Sequence, residues 1–222
     1  ADMQLTVCGF GGAGCRIADR LVAADSDDRP FVVDSIALDT DQRDLSALDS
    51  IPDDRRHLYG VIEAEGEGVD GDRSVGAAAA SSSTTELVDA IEAAILSQTE
   101  AILCCVGFAG GSGATVLPHV ADELRRVYDI PVYGLGILPA VAAPSGGGES
   151  STAARNTGRA LADIGAATDS LLLFDNELWL GAGDSASDPE VQADLNETLT
   201  TRVAALFAAG EGDHDRPIAE RV

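Results

Sequence analysis

Gly107-Phe108-Ala109-Gly110-Gly111-Ser112-Gly113 closes the apolar run Ala101–Gly107 and opens a helical pattern over Ala114–Tyr128. A strand that runs into a glycine turn and then a helix N-terminus presents unpaired backbone N–H groups and the positive end of the helix dipole. Both suit a phosphate chain. The arrangement occurs again at Gly9-Phe10-Gly11-Gly12-Ala13-Gly14, between an apolar strand over Gln4–Gly9 and a helix over Cys15–Ala24 with Ile17, Leu21 and Val22 on one face. One such loop is a weak signal. Two in one chain predict a nucleotide held from two sides.

Outward from the loops, Val32–Leu38 reads as a second strand ending in Asp39-Thr40-Asp41, and His57–Ile62 as a third, followed by an irregular acidic loop over Glu63–Gly76. After the low-complexity tract Ala77–Thr85, Ser83 or Thr84 is expected to cap a helix carrying Leu87, Ile91 and Ile95 and running to Ser97. Pro131–Ile137 is a strand, Thr152–Ala166 a helix beyond the Pro/Gly/Ser-rich Pro139–Gly148, and Ser170–Phe174 a sixth strand before a loop over Asp175–Asp188. The longest helix follows, with Asp188 as N-cap and Pro189 in its first turn. Val191, Leu195, Leu199, Val203 and Leu206 form its apolar stripe, and Gly210 stops it.

This alternation predicts an α/β, Rossmann-like fold: a parallel sheet of about six strands with helices on both faces, ending in a long central helix, and ligands at the carboxyl ends of the strands. Both glycine loops fall at that edge. So do Asp39-Thr40-Asp41, Leu138–Gly148 and Asp175-Asn176-Glu177.

Composition narrows the function. The 222 residues are 45% hydrophobic, which fits one globular domain, and 38 acidic residues face 14 basic ones, all arginine, for a net charge of -24. Without lysine there is no P-loop, no Schiff base and no kinase strand lysine. The acidity argues against nucleic-acid binding, which draws on Lys and Arg, and against anionic membranes. It would also repel a nucleotide, but the Debye length shrinks to ~3 Å at 1 M salt, so the expected setting is a salt-rich cytoplasm. An acidic protein of ordinary salt is the alternative. Cys8, Cys15, Cys104 and Cys105 form no CxxC pair and read as buried apolar residues, and no stretch resembles a signal peptide or membrane span.

Alone, the first loop passes for a dinucleotide fingerprint, with Gly9, Gly11 and Gly14 at G-x-G-x-x-G spacing and Asp39 as the ribose-binding acid of an NAD-dependent oxidoreductase. Asp39 lies 25 residues past Gly14, late for that role, and the second loop is left without a task. With its later Pro118, the second loop resembles the phosphate loop of the tubulin/FtsZ superfamily, GGGTGTG followed by a proline. The first loop and Ala37-Leu38-Asp39-Thr40-Asp41 resemble that family's first two loops, Asp175-Asn176-Glu177 its DNE segment, and Leu195-Asn196-Glu197 the start of its central helix. These five segments occur in family order over nearly the whole chain, and the archaeal tubulin-like CetZ branch is the most similar.

The resemblance implies GTP or GDP, with Mg²⁺ carried on the phosphates. It places Gly11, Gly12, Ala13, Cys15 and Arg16 near the α- and β-phosphates, and Ala109, Gly110, Gly111, Ser112 and Gly113 around the phosphate chain. It puts Asp39 at the second loop of the site, Glu149 at the ribose, and Asn176 and Asn196 on guanine, whose edge an amide can meet with both a donor and an acceptor. Gly66–Gly76, including Gly68, resembles the loop that senses the γ-phosphate. Asp70, Asp72 and Ser74 there also suggest a calcium loop, but the EF-hand glycine and glutamate are missing.

Some positions depart from the family. Ala109, Ala114 and Thr115 stand where its loop has Gly, Thr and Gly, and Cys15 where many relatives have asparagine. Aligned on Glu149, Ala153 takes the place of an arginine of bacterial relatives, and Arg155 is the expected substitute. The family hydrolyses GTP when an acidic loop beyond the central helix docks onto the next subunit of a filament. The sequence ends at Arg221-Val222 before such a loop, so residues 1–210 are expected to be the GTP-binding domain and 211–222 the start of a linker. Very slow hydrolysis in isolation follows, and filament formation would need the C-terminal part. A truncated GTP-binding regulator or filament cap is the alternative. Asp213, His214 and Asp215 read as an acidic patch of that linker.

Overall fold

The structure is a computed structural model describing residues 3–25, 30–140, 149–181 and 183–208, without the side chains of residues 149–151 and 208. The apolar runs become strands β1 (Leu5–Phe10), β2 (Val32–Asp39), β3 (Arg56–Leu58), β4 (Ala101–Gly107), β5 (Val132–Leu138) and β6 (Ser170–Asp175). All pair in parallel, in the order β3-β2-β1-β4-β5-β6. Every residue of β1 is buried, as a central strand covered on both faces requires.

Because side chains alternate along a strand, Cys8 and Phe10 enter one apolar core while Leu5 and Val7 enter the other. The first core is closed by α4 (Arg73–Glu92), α5 (Gly113–Val127) and α6 (Glu149–Ala167), and the second by α1 (Gly11–Ala24), α2 (Gln42–Ser46) and α7 (Pro189–Ala208). All four cysteines are buried and free. No helix among the described residues is long and apolar enough to cross a membrane.

Three expectations are corrected. The third strand stops at Leu58, because Gly60 turns left-handed (φ 62°) and Val61–Ala64 coil into α3. Helix α4 begins ten residues before the expected cap, since the Asp72 carboxylate accepts from the backbone N–H groups of Ser74 (2.8 Å) and Val75 (3.3 Å). Ser83 lies inside that helix, where its Oγ accepts from Gly60 N. The alanine-rich tract has strong helix propensity but no apolar periodicity to reveal it. In α7 the stripe continues from Val203 to Phe207, and Leu206 faces outward at 56% exposure. Asp188 does cap α7, accepting from Glu190 N at 2.9 Å. Gly210 and residues 213–215 lie outside the described residues.

Helix α1 lies against β1, β2 and β4, and Gly14 allows it. A Cβ there would overlap the Cys105 carbonyl oxygen. Gly14→Ala is expected to cost about 1–3 kcal/mol. Gly158→Ala, at an exposed α6 position with nothing within 4 Å of its added Cβ, is expected to stabilise by about 0.4–1 kcal/mol. Denaturant titration of both variants at molar KCl checks the pair of signs.

Candidate functional site

Strand order reverses between β1 and β4, and in an open parallel sheet the crevice beyond the carboxyl ends of two such strands is the natural ligand site. Both glycine loops emerge there. Gly11 takes a left-handed conformation (φ 69°), and a Cβ on it would sit 2.9 Å from Gly113 N and 3.0 Å from Ser112 Oγ. A Cβ on Gly113 would overlap the Phe10 carbonyl oxygen. The two loops thus touch through backbone, and a cleft of about 290 Å³ opens above them.

Gly11, Gly12, Ala13 and Arg16 from the first loop and α1, Ala109, Gly110, Ser112 and Gly113 from the second loop and α5, and Asn176 and Asn196 all line this cleft. The structure brings together ten residues that the sequence reading nominated. Asn176 opens a 3-10 turn, Asn176–Trp179, directly after β6, and Asn196 sits on the buried side of α7 beside Leu195. Neither carboxamide has a side-chain hydrogen-bond partner among the described residues.

Five nominated residues sit elsewhere. Cys15 is fully buried, its thiol 3.6 Å from the Leu38 carbonyl, and burial pushes that thiol well up. Gly111, within the second loop, is buried against Val69, Gly71 and Asp72. Gly68 donates its N–H to the Thr40 carbonyl at 3.1 Å, tying its loop to the end of β2. Arg155 is exposed on α6 and does not line the cleft. Asp39 is 2% exposed and lies beneath Ser112, which leaves it unable to hold a ribose in the cleft as the NAD reading requires. Glu149 opens α6, but its side chain lies outside the described residues, as does the loop 141–148.

Two electrostatic features stand out. Helices α1 and α5 start at the cleft, and neither has a side-chain cap or an acidic residue in its first turn. Elsewhere in this acidic chain, Asp41, Asp72 and Asp188 cap the starts of α2, α4 and α7. Unpaired N–H groups and the dipole's positive end are thereby left to a ligand. Arg16 is the one basic side chain lining the cleft among the described residues, and its Nη1 pairs with Asp44 at 3.0 Å.

Two residues that brace the site are not nominated for it by the sequence: Thr115 reads only as a departure from the family loop, and Asn156 is not singled out. Thr115 donates its hydroxyl to the carbonyls of Gly111 (2.6 Å) and Ser112 (2.8 Å), bracing the second loop from within α5. Asn156, 4% exposed on α6, donates to the carbonyls of Gly71 (2.9 Å) and Ala109 (3.0 Å) and so joins the 66–76 segment to the phosphate loop. Its partners are 85 and 47 residues away, and no local pattern announces them. The calcium-loop alternative finds no group of three His, Cys, Asp or Glu placed to hold a metal among the described residues.

A family model described as "Tubulin/FtsZ family, GTPase domain" matches residues 4–184. Tubulin-like protein CetZ3 of Haloferax volcanii is 35% identical over 221 residues, covering 99% of this chain and 55% of its own. Among solved structures, the GDP-bound monomer of CetZ1 from the same organism superposes with a TM-score of 0.84 at 33% identity, over 93% of this chain and 60% of that one. The GTPγS-bound protofilament of CetZ2 gives 0.83 at 36% identity, over 96% and 60%. The chain spans about half the length of the curated relatives it matches. With the parallel sheet, the paired glycine loops and the matched residues all in agreement, the chain belongs to the tubulin/FtsZ family.

Proposed function

We propose that this chain binds GTP and GDP in the cleft between the β1 and β4 loops, as the nucleotide-binding half of a filament-forming cytoskeletal GTPase that acts in cell shape or division. The observation that carries the reading is that two uncapped helix starts and two carboxamides, unengaged among the described residues, line one cleft. The helix starts suit the phosphates and the carboxamides suit the edge of guanine. The GDP- and GTPγS-bound CetZ structures support the same ligand.

In this proposal the chain's residues bind and orient. Backbone N–H groups of Gly11 to Ala13 and of Gly110, Ser112 and Gly113 take the phosphate oxygens, and Asn176 and Asn196 hold the base. No carboxylate lines the cleft among the described residues, and the group that activates water for attack on the γ-phosphate is assigned here to another molecule. A neighbouring subunit in a filament is the source proposed here, and the CetZ2 protofilament supports self-association of the longer protein. Mg²⁺ fits as a cation held mainly by phosphate and water, the usual mode for an ion that dehydrates reluctantly.

Two measurements test this. Denaturing the purified chain is expected to release guanine nucleotide and no NAD, and Asn176→Ala or Asn196→Ala is expected to weaken GDP binding about tenfold each by removing a base contact. An extract containing NAD, or variants that bind GDP as tightly as the parent, would sink the proposal. Salt supplies the second. With a net charge of -24, GDP affinity is expected to rise as KCl goes from 0.1 to 1 M, because screening removes the repulsion while the amide contacts persist. That outcome also supports a high-salt cytoplasm as the working environment.

A further inference from the structure

Asp39 closes β2 under the second glycine loop and uses only one of its carboxyl oxygens. Oδ1 accepts from Thr40 N at 2.7 Å and from Ser112 Oγ at 3.4 Å. Oδ2 is buried without a partner, and so are Thr40 Oγ1 and the Tyr59 hydroxyl oxygen. An ionised carboxyl in this position would be poorly compensated. Burial pushes Asp39 up to about 6 and the charge of Asp44 adds to the rise, while the Thr40 N–H opposes it.

The groups facing Asp39 leave it this way. Asp41 lies two residues beyond, and Asp44 on α2 is paired with Arg16. Cys15 on α1 is held protonated by burial, and Tyr59, just past β3, has its phenol pushed up by burial and by Asp39 itself. No basic side chain among the described residues pairs with the carboxyl. Ser112 is the link to the ligand: it is the N-cap of α5, makes no cap bond with its side chain, and lines the cleft.

A serine hydroxyl has one hydrogen and two lone pairs. Against an ionised Asp39 the hydrogen points down to the carboxylate, and a phosphate above meets lone pairs with a negative charge behind them. Against a neutral Asp39 the order reverses.

Building on the phosphate site proposed above, we propose that Asp39 is a positioning residue acting through Ser112. The neutral carboxyl, protonated on Oδ1, the oxygen that contacts Ser112, donates to Ser112 Oγ; Ser112 turns its own hydrogen onto the bound phosphate, and phosphate binding takes up one proton from solvent onto Asp39. The only bond made is that O–H. Nucleotide affinity in this chain is therefore tied to pH.

The test is calorimetric titration of GDP at molar KCl between pH 5 and 8.5 on the parent, Asp39→Asn and Ser112→Ala. Parent affinity is expected to fall more steeply than that of Asp39→Asn above about pH 6, the value Asp39 reaches. The excess is about tenfold per pH unit, from one linked proton. Asp39→Asn, whose amide donates at every pH, binds more tightly than the parent at pH 8, and Ser112→Ala loses the excess slope. In buffers of different ionisation heat at pH 8, where a phosphate with its second pKa near ~6 is already ionised, the parent takes up a measurable fraction of a proton per GDP. This reading needs no variant to fold. Parallel pH profiles with no uptake by the parent would overturn the proposal and leave the guanine site standing. If GDP fails to bind while inorganic pyrophosphate binds with the Asp39-dependent slope, the guanine reading falls and the proton link is upheld. Binding of neither ligand overturns both.

Discussion

Phe10 and Gly113 approach so closely that a Cβ on residue 113 would overlap the Phe10 carbonyl oxygen, and the rest of the sheet edge is arranged around that backbone contact. The same need for bare backbone spreads outward. A Cβ on Gly111 would meet Val69, Gly71 and Asp72, and one on Gly76 would overlap the Gly111 carbonyl. The second loop is therefore held between the first loop on one side and the start of α4 on the other. Thr115 and Asn156 take up carbonyls that the bend leaves over, so the loop costs few unsatisfied groups despite its burial. A tightly packed cradle results, with the start of α5 left uncapped by any side chain.

An anion site in a chain of net charge -24 needs a positive field that owes little to side chains. Arg16 contributes less than its charge suggests, because Asp44 shares it. Two helix starts supply the field instead, and the acidic caps that steady other helices are withheld from those two. Partial charges of backbone groups act at contact range, while surface carboxylates act over distances that concentrated salt screens. A highly acidic surface and a phosphate cleft are compatible on this basis.

Much of the fold is legible because strands of a parallel sheet are continuous apolar runs, and glycine turns punctuate them. β4 follows its expected bounds, and β1, β2, β5 and β6 lie within a residue or so of theirs. Where the pattern depends on packing, the reading falters. The α4 start is invisible in an alanine tract, and β3 ends early because Gly60 turns left-handed. In the site, glycines and the two asparagines are recognisable by type and order. Composition also marks Cys15 as a buried apolar residue, as it is, whereas the burial of Asp39 is not legible, since it is enclosed by residues distant in sequence.

The sequence by itself determined the order of the six strands and the five longer helices, the two phosphate-suited loops, the absence of a lysine mechanism and the family, because each is written in local composition and spacing. Tertiary structure decided which nominated residues share a cleft, and that Asp39 lies beneath Ser112 rather than in the open. The reason is physical: helix starts, strand ends and glycine turns are local preferences of the chain. The depth of a carboxyl beneath a loop depends on how β2, α1 and α5 pack, and those elements are joined only by folding.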